Sequence, residues 1–174
     1  MDAYFVTIRI HEREERKLYM SSYIMDLRKI VGHRTLLQVG ASVIVEDACG
    51  RVLLQKRRDN GSWAYAGGSV EIDESVEETA KRELFEETGL LAEDLTLLGV
   101  FSGKEMHFIY PNGDEVSNID VVYICRRYTG TLKCQEGEVD DLKFFDIDAF
   151  PEDIFLPNRP AIDAYLKRRK QLQK

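Results

Sequence analysis

One segment constrains the fold of this chain more than any other: residues 75 to 89 carry the marks of a helix at both ends. Ser75 with Glu78 three positions later is the pattern of a capping box, in which side chains and backbone of the first turn satisfy each other's hydrogen bonds. Val76, Ala80 and Leu84 recur at helical spacing, and Gly89 stands where a left-handed C-terminal cap belongs. The spacing predicts a helix over 76–88. Around it the period of the text changes. LLQVGASVIVED and RVLLQKR, within 36–57, are rich in β-branched residues and parted by Ala48, Cys49 and Gly50, which predicts two paired strands and a hairpin turn near Cys49 and Gly50. A strong helix set among strands restricts the chain to the α/β class.

The remaining text supplies more strands. WAYAGGSVEI, at 63–72, reads as a short strand interrupted by Gly67 and Gly68, where backbone must bend or approach something closely. LTLLGVFSG, MHFIY, EVSNIDVVYICRRY and LKFFDI are further strand candidates, with PNGD at 111–114 a turn between two of them, so the expected sheet is mixed and largely antiparallel. PAIDAYLKRRKQLQK, at 160–174, reads as a closing amphipathic helix with Ile162, Tyr165 and Leu166 inward. Near the N-terminus, YFVTIRI at 4–10 has strand composition, and the charged stretch at 11–30 has apolar residues placed for partial helix.

At 174 residues and 44% hydrophobic content, one core is expected, and the chain is read as a single domain with residues 1–30 as an extension. A formal charge of −7 repels nucleic-acid polymer and anionic membrane, so an anionic substrate needs a cation as mediator. Cys49, Cys125 and Cys134 are odd in number and lack metal-ligand spacing, which fits a reducing cytoplasm. No apolar run approaches the roughly 20 residues of a membrane span, and the first residues do not read as a signal peptide.

The predicted helix also carries chemistry. Glu83, Glu86 and Glu87 stand at i, i+3 and i+4, so their carboxylates emerge on one side and repel. Glu77 is spaced to pair with Lys81 and Glu78 with Arg82, whereas the cluster of three has no cation four residues beyond it. A solvated acidic face is one reading; a divalent metal that supplies the missing charge is the other. Hard oxygen donors at this spacing suit magnesium, with manganese as a substitute. Such an ion neutralises charge building on a diphosphate and activates the attacking water.

From Gly68 to Leu90 the chain reads GSVEIDESVEETAKRELFEETGL, in which Gly68, Glu74, Arg82, Glu83, Leu84, Glu86, Glu87, Gly89 and Leu90 fill every specified position of the Nudix box. With ordinary amino-acid frequencies such a match arises by chance on the order of 10⁻⁹ times per starting position. The chain therefore resembles the Nudix hydrolase family, more loosely over 36–150. The resemblance implies an α/β/α sandwich, with Glu83, Glu86 and Glu87 and the Gly68 carbonyl as metal ligands. It implies a structural pair of Glu74 with Arg82. In one departure, Tyr65 and Ala66 precede the glycine pair where many members have Leu-Pro, so the loop lacks the rigidity of a proline ring.

Other roles stay open. Glu71 is either an extra ligand or an exposed strand residue. Arg57, with Lys56 and Arg58 beside it, matches a basic position near substrate phosphates, though a hairpin end is also basic. Trp63 either stacks on a base or anchors its loop. Among Glu136, Glu138 and Asp141, Glu138 is the favoured further acid, acting as base or ligand. The resemblance implies an enzyme splitting the diphosphate of a small nucleotide: ADP-ribose, a nucleotide sugar or a modified nucleoside triphosphate. Its rivals are a nucleotide-sensing module without turnover, which would ordinarily lose box glutamates, and an RNA-end processing enzyme, which the net charge disfavours. A homodimer is an expectation by analogy.

Overall fold

A computed structural model describes residues 22–172, which fall into two units divided between Gly32 and His33. The expected strand at 4–10 and the first part of the 11–30 segment lie outside the described residues. In the first unit, α1 (Tyr23–Val31) ends on Gly32, whose backbone N–H bonds the Arg28 carbonyl at 2.8 Å.

The second unit holds the chemistry. Its centre is the parallel pair β1 (Leu36–Val45) and β8 (Glu115–Cys125), in register from Leu36 opposite Val116 to Val45 opposite Cys125. Antiparallel neighbours flank it: β4 (Ala66–Ser69) on β1, and β6 (Thr96–Phe101) and β7 (His107–Ile109) on β8. A second sheet sets β2 (Val52–Arg57) between β3 (Trp63–Ala64) and β10 (Val139–Phe145). β5 (Leu90–Ala92) and β9 (Tyr128–Gly130) form a separate short pair.

Side chains alternate across a strand, so the central pair feeds two cores at once. Ala41, Val43 and Val45 of β1 and Tyr123 and Cys125 of β8 pack with Ala80 and Leu84 of α2 (Val76–Thr88). Their neighbours Ile44, Val122 and Ile124 pack the other way, with Ala161, Ile162 and Tyr165 of α3 (Arg159–Leu172). A mixed sheet with a helix on each face is the expected α/β sandwich.

Two strand expectations change. β1 and β2 are not a hairpin pair: a single bridge joins Glu46 to Val52, and the turn between them passes from one sheet to the other. The turn is built as its residues direct, Asp47 accepting from the Cys49 and Arg51 N–H groups at 2.9 and 2.8 Å. Both edges of β1, however, are taken by β4 and β8, whose distance along the chain hides them from a local reading. The 63–72 run breaks at Tyr65 and not at the glycines, which lie inside β4. Among the described residues no helix is long and apolar enough to cross a membrane.

Candidate active site

Helix α2 starts and stops where its residues direct. Ser75 Oγ accepts from the Glu78 N–H while the Glu78 carboxylate accepts from the Ser75 N–H at 3.0 Å, and Gly89 closes the helix at φ 76°. Glu78 is thereby committed to the cap, which corrects its expected pairing with Arg82. Glu77 and Lys81 form no ion pair among the described residues, and the Glu77 carboxylate instead stands near the Tyr123 hydroxyl, whose pKa burial and then Glu77 push up to about 12.

Arg82 organises the site. Its Nε and Nη2 donate to the two oxygens of Glu74, each at 2.8 Å, and Nη2 also reaches the Ser69 carbonyl at 3.1 Å. Thr79 Oγ1 adds a third donor to Glu74 at 2.7 Å. Burial opposes the charge on Glu74, yet the Arg82 and Thr79 hydrogen bonds outweigh it and hold the carboxyl below the usual range. This fork, made across eight residues, joins the loop after β4 to the body of α2. The same guanidinium pairs with Glu83 through Nη1 and lies 3.6 Å from a Glu86 oxygen. The acidic cluster therefore does have a cation, one residue before Glu83 and not four beyond it, which corrects the sequence expectation.

Glu87 is placed differently. It is 6% exposed and folded onto the strand beside it: the Gly67 N–H donates to its Oε2 at 2.8 Å, and the Gln55 side chain of β2 lies close enough to favour its charged form. Burial, and then the neighbouring Glu83 charge, push its pKa up to about 8, although Gln55, Gly67 and Arg57 act in the opposite sense. Glu83 is also raised, by burial first and by Glu86 and Glu138, with Arg82 opposing. In both carboxyls burial disfavours the charge, and a cation brought beside them would favour it.

The diglycine of β4 is fitted to them. A Cβ on Gly68 would come within 2.5 Å of the Glu83 carboxyl, so only glycine lets this carboxylate lie against the strand. Gly67 faces the other way, and a Cβ there would meet Ser42 Oγ at 2.1 Å.

A divalent cation suits these residues. Their donors are hard carboxylate oxygens beside a bare backbone, and Gln55 Oε1 is buried without a hydrogen-bond partner among the described residues. No three His, Cys, Asp or Glu side chains among the described residues are yet gathered into a cage. Arg82 holds Glu83 and Glu86, and the Gly67 N–H holds Glu87, so an incoming ion must compete with a guanidinium.

The other candidates divide. Arg57 lies on the Glu87 side of β2, its guanidinium 4.6 Å over the Phe155 ring and 2.7 Å from Asp59. Lys56 points to the opposite face, its ammonium 5.7 Å from the ring of Trp63, its cross-strand partner. Period two accounts for the difference, and it sets Lys56 on the face away from Arg57 and Glu87. Trp63 is 8% exposed, edge-on to Phe145 in the core beside α3, so it has the anchoring role and no face for a base. Glu138 is exposed and its charge reaches Glu83. Glu71 stands in the turn after β4, its carbonyl accepting from the Glu74 N–H at 3.1 Å. Neither Gln55 nor Asp120 was marked by sequence reasoning. The available signals were the i+2 relation of Gln55 to Arg57 and one acid inside the apolar run of β8.

Known proteins carry the same plan. The NUDIX domain family model matches residues 36–165. An ADP-ribose pyrophosphatase of Methanocaldococcus jannaschii is 34% identical over 137 residues, covering 76% of each chain. An NAD-capped RNA hydrolase of Actinobacillus succinogenes is 30% identical over 125 residues, but the present chain spans only 44% of its length. The crystal structure of a MutT NUDIX hydrolase from Burkholderia pseudomallei, 28% identical, superposes with a TM-score of 0.64 over 74% of this chain and 98% of that one. With a complete box, a helix of metal-suited carboxylates and a family match over three quarters of its length, this chain belongs to the Nudix family of hydrolases.

Proposed function

We propose that the protein hydrolyses the diphosphate linkage of a small nucleoside diphosphate derivative in a magnesium-dependent reaction, with ADP-ribose as the first substrate to try. The observation that carries this reading is the packing of the diglycine strand against Glu83 and Glu87. Gly68 abuts the Glu83 carboxyl, and the Gly67 N–H donates to Glu87 Oε2 at 2.8 Å. Glu83, Glu86, Glu87 and the Gly68 carbonyl would hold the metal, with manganese as a substitute. When bound, the ion supplies charge neutralisation and Lewis acidity toward the diphosphate.

The chain's own groups do the rest. The Glu74–Arg82 fork keeps the loop after β4 and the helix in fixed relation, and the Gly67 N–H keeps Glu87 turned toward the strand. Glu138, exposed and within electrostatic reach of Glu83, is the candidate to take a proton from the attacking water. Arg57 lies beside the site, with Phe108, Tyr110 and Phe155 stacked edge to face at 4.7 to 5.1 Å around it. A cation for phosphate next to aromatic rings for a base suits a nucleotide. The pyrophosphatase named above, and a Nudix domain of Shewanella oneidensis NrtR solved with ADP ribose, support this choice of first substrate.

The test is a panel of ADP-ribose, a nicotinamide dinucleotide, a nucleotide sugar, an oxidised nucleoside triphosphate and a capped RNA, each with Mg²⁺, read by phosphate-containing products. Cleavage of a small diphosphate, abolished by chelator, is the expected result. Nucleotide binding with no product from any member would replace this reading by the sensing module, and cleavage of capped RNA alone would replace it by the RNA-end enzyme. Arg57→Ala should raise KM about tenfold with a smaller change in kcat.

A further inference from the structure

Behind the diglycine strand, on the face turned away from the glutamates, lies a polar cluster that the proposed chemistry does not use. Asp120 of β8 is 7% exposed, accepts from Ser42 Oγ at 2.9 Å and from the Tyr65 hydroxyl at 3.1 Å, and pairs with no Lys or Arg among the described residues. A buried carboxylate without a cation is costly, and an apolar side chain of similar volume would ordinarily serve the core better. What a carboxylate offers is two oxygens that only accept, so both hydroxyl hydrogens are drawn inward at once. The single carbonyl oxygen and amide of Asn do not do this.

Both hydroxyls belong to residues that fix the strand. Ser42 stands opposite Gly67 in the β1–β4 register, so close that its Oγ occupies the space of a Gly67 side chain. Tyr65 leads into β4, and its own N–H donates to Asn158 Oδ1 at 3.2 Å. On the other side of the strand, the Gly67 N–H holds Glu87 and Gly68 abuts Glu83. The backbone between them has no proline ring to stiffen it, and the Ser42 and Tyr65 hydroxyls held by Asp120 reach it from behind.

We propose that Asp120 is a positioning residue for the diphosphate site, holding the Gly67–Gly68 backbone against the α2 glutamates through Ser42 and Tyr65. The proposal rests on the reading of those glutamates as metal ligands. Asp120→Asn, Ser42→Ala, the double variant and Tyr65→Phe would each be made in the full chain. Each would be followed by thermal melting, by Mn²⁺ titration without substrate using electron paramagnetic resonance, and by the Gly67 amide signal in NMR. Asp120→Asn and Tyr65→Phe should melt cooperatively, weaken Mn²⁺ binding about tenfold or more, and move the Gly67 amide signal. The Asp120 and Ser42 effects should fail to add.

Folded variants with wild-type Mn²⁺ affinity and an unmoved Gly67 signal would overturn the proposal. Should Asp120→Asn fail to fold, Tyr65→Phe, which keeps the ring in the core, decides by the same two readouts. Wild-type protein that binds Mn²⁺ in a Glu87-dependent way but cleaves no diphosphate would sink the hydrolase reading and leave this one standing. Wild-type protein that binds no Mn²⁺ would sink both.

Discussion

Glu87 carries opposite consequences for stability and chemistry. Burial raises its pKa to about 8, so the folded protein prefers the neutral form, whereas an unfolded chain ionises near the ordinary value of 4.5. For an acid raised in this way, stability is fullest at low pH and falls as pH climbs from about 4.5 to about 8. Glu87→Gln removes that penalty. In the presence of chelator its melting temperature should exceed that of the wild type at pH 9 and match it closely at pH 5, while magnesium-dependent turnover falls about a hundredfold or more. A variant that melts lower at pH 9 would contradict the burial argument, and undiminished turnover would remove Glu87 from the site. Glu83, Glu86 and Glu87 were legible in the sequence because their spacing is set by a helix they themselves occupy. Gln55 and Asp120 were not, since each matters through a partner 32 or more positions away along the chain. Lys56 was grouped with Arg57 for a related reason: local charge density does not say which face of β2 a side chain occupies.

At the scale of the element, α2 was the most legible part of the molecule, because capping box, apolar stripe and terminal glycine are all local instructions. Gly89→Ala should test the last of them. A φ of 76° disfavours a side chain, and a Cβ would meet the Thr131 carbonyl oxygen at 2.5 Å, so a loss of about 1–2 kcal/mol is expected in denaturant unfolding. Glu74→Gln probes the joint between this helix and the loop before it. It removes the charge of the two-oxygen acceptor of Arg82, leaving only Glu83 and Glu86 as its acidic neighbours, in a site where both side chains are less than a quarter exposed, and should cost about 2–3 kcal/mol. A wild-type melting curve for Glu74→Gln would show the fork to be ornamental. β5 went unseen because three residues, Leu90–Ala92, are strand only by virtue of pairing with β9.

Across the whole molecule, the central pair β1 and β8 explains both what composition could foretell and what it could not. From length and a −7 net charge, one core and a cation for an anionic ligand were expected, and the central pair instead serves a separate core on each face. That β1 would run parallel to β8, 79 residues further on by its first strand residue, and leave β2 to another sheet is a matter of long-range pairing that no local pattern specifies. The pairing sets the site, for β1 carries β4 on its free edge and thereby brings the glycines to α2. The most direct measurement is the anomalous scattering of Mn²⁺ in crystals soaked with a non-hydrolysable ADP-ribose analogue. The expected result is an anomalous peak at the surface formed by Glu83, Glu87 and Gly68, where these residues would hold the ion next to bound nucleotide. Ordered nucleotide with no ion at that surface, or an ion bound away from α2, would contradict it.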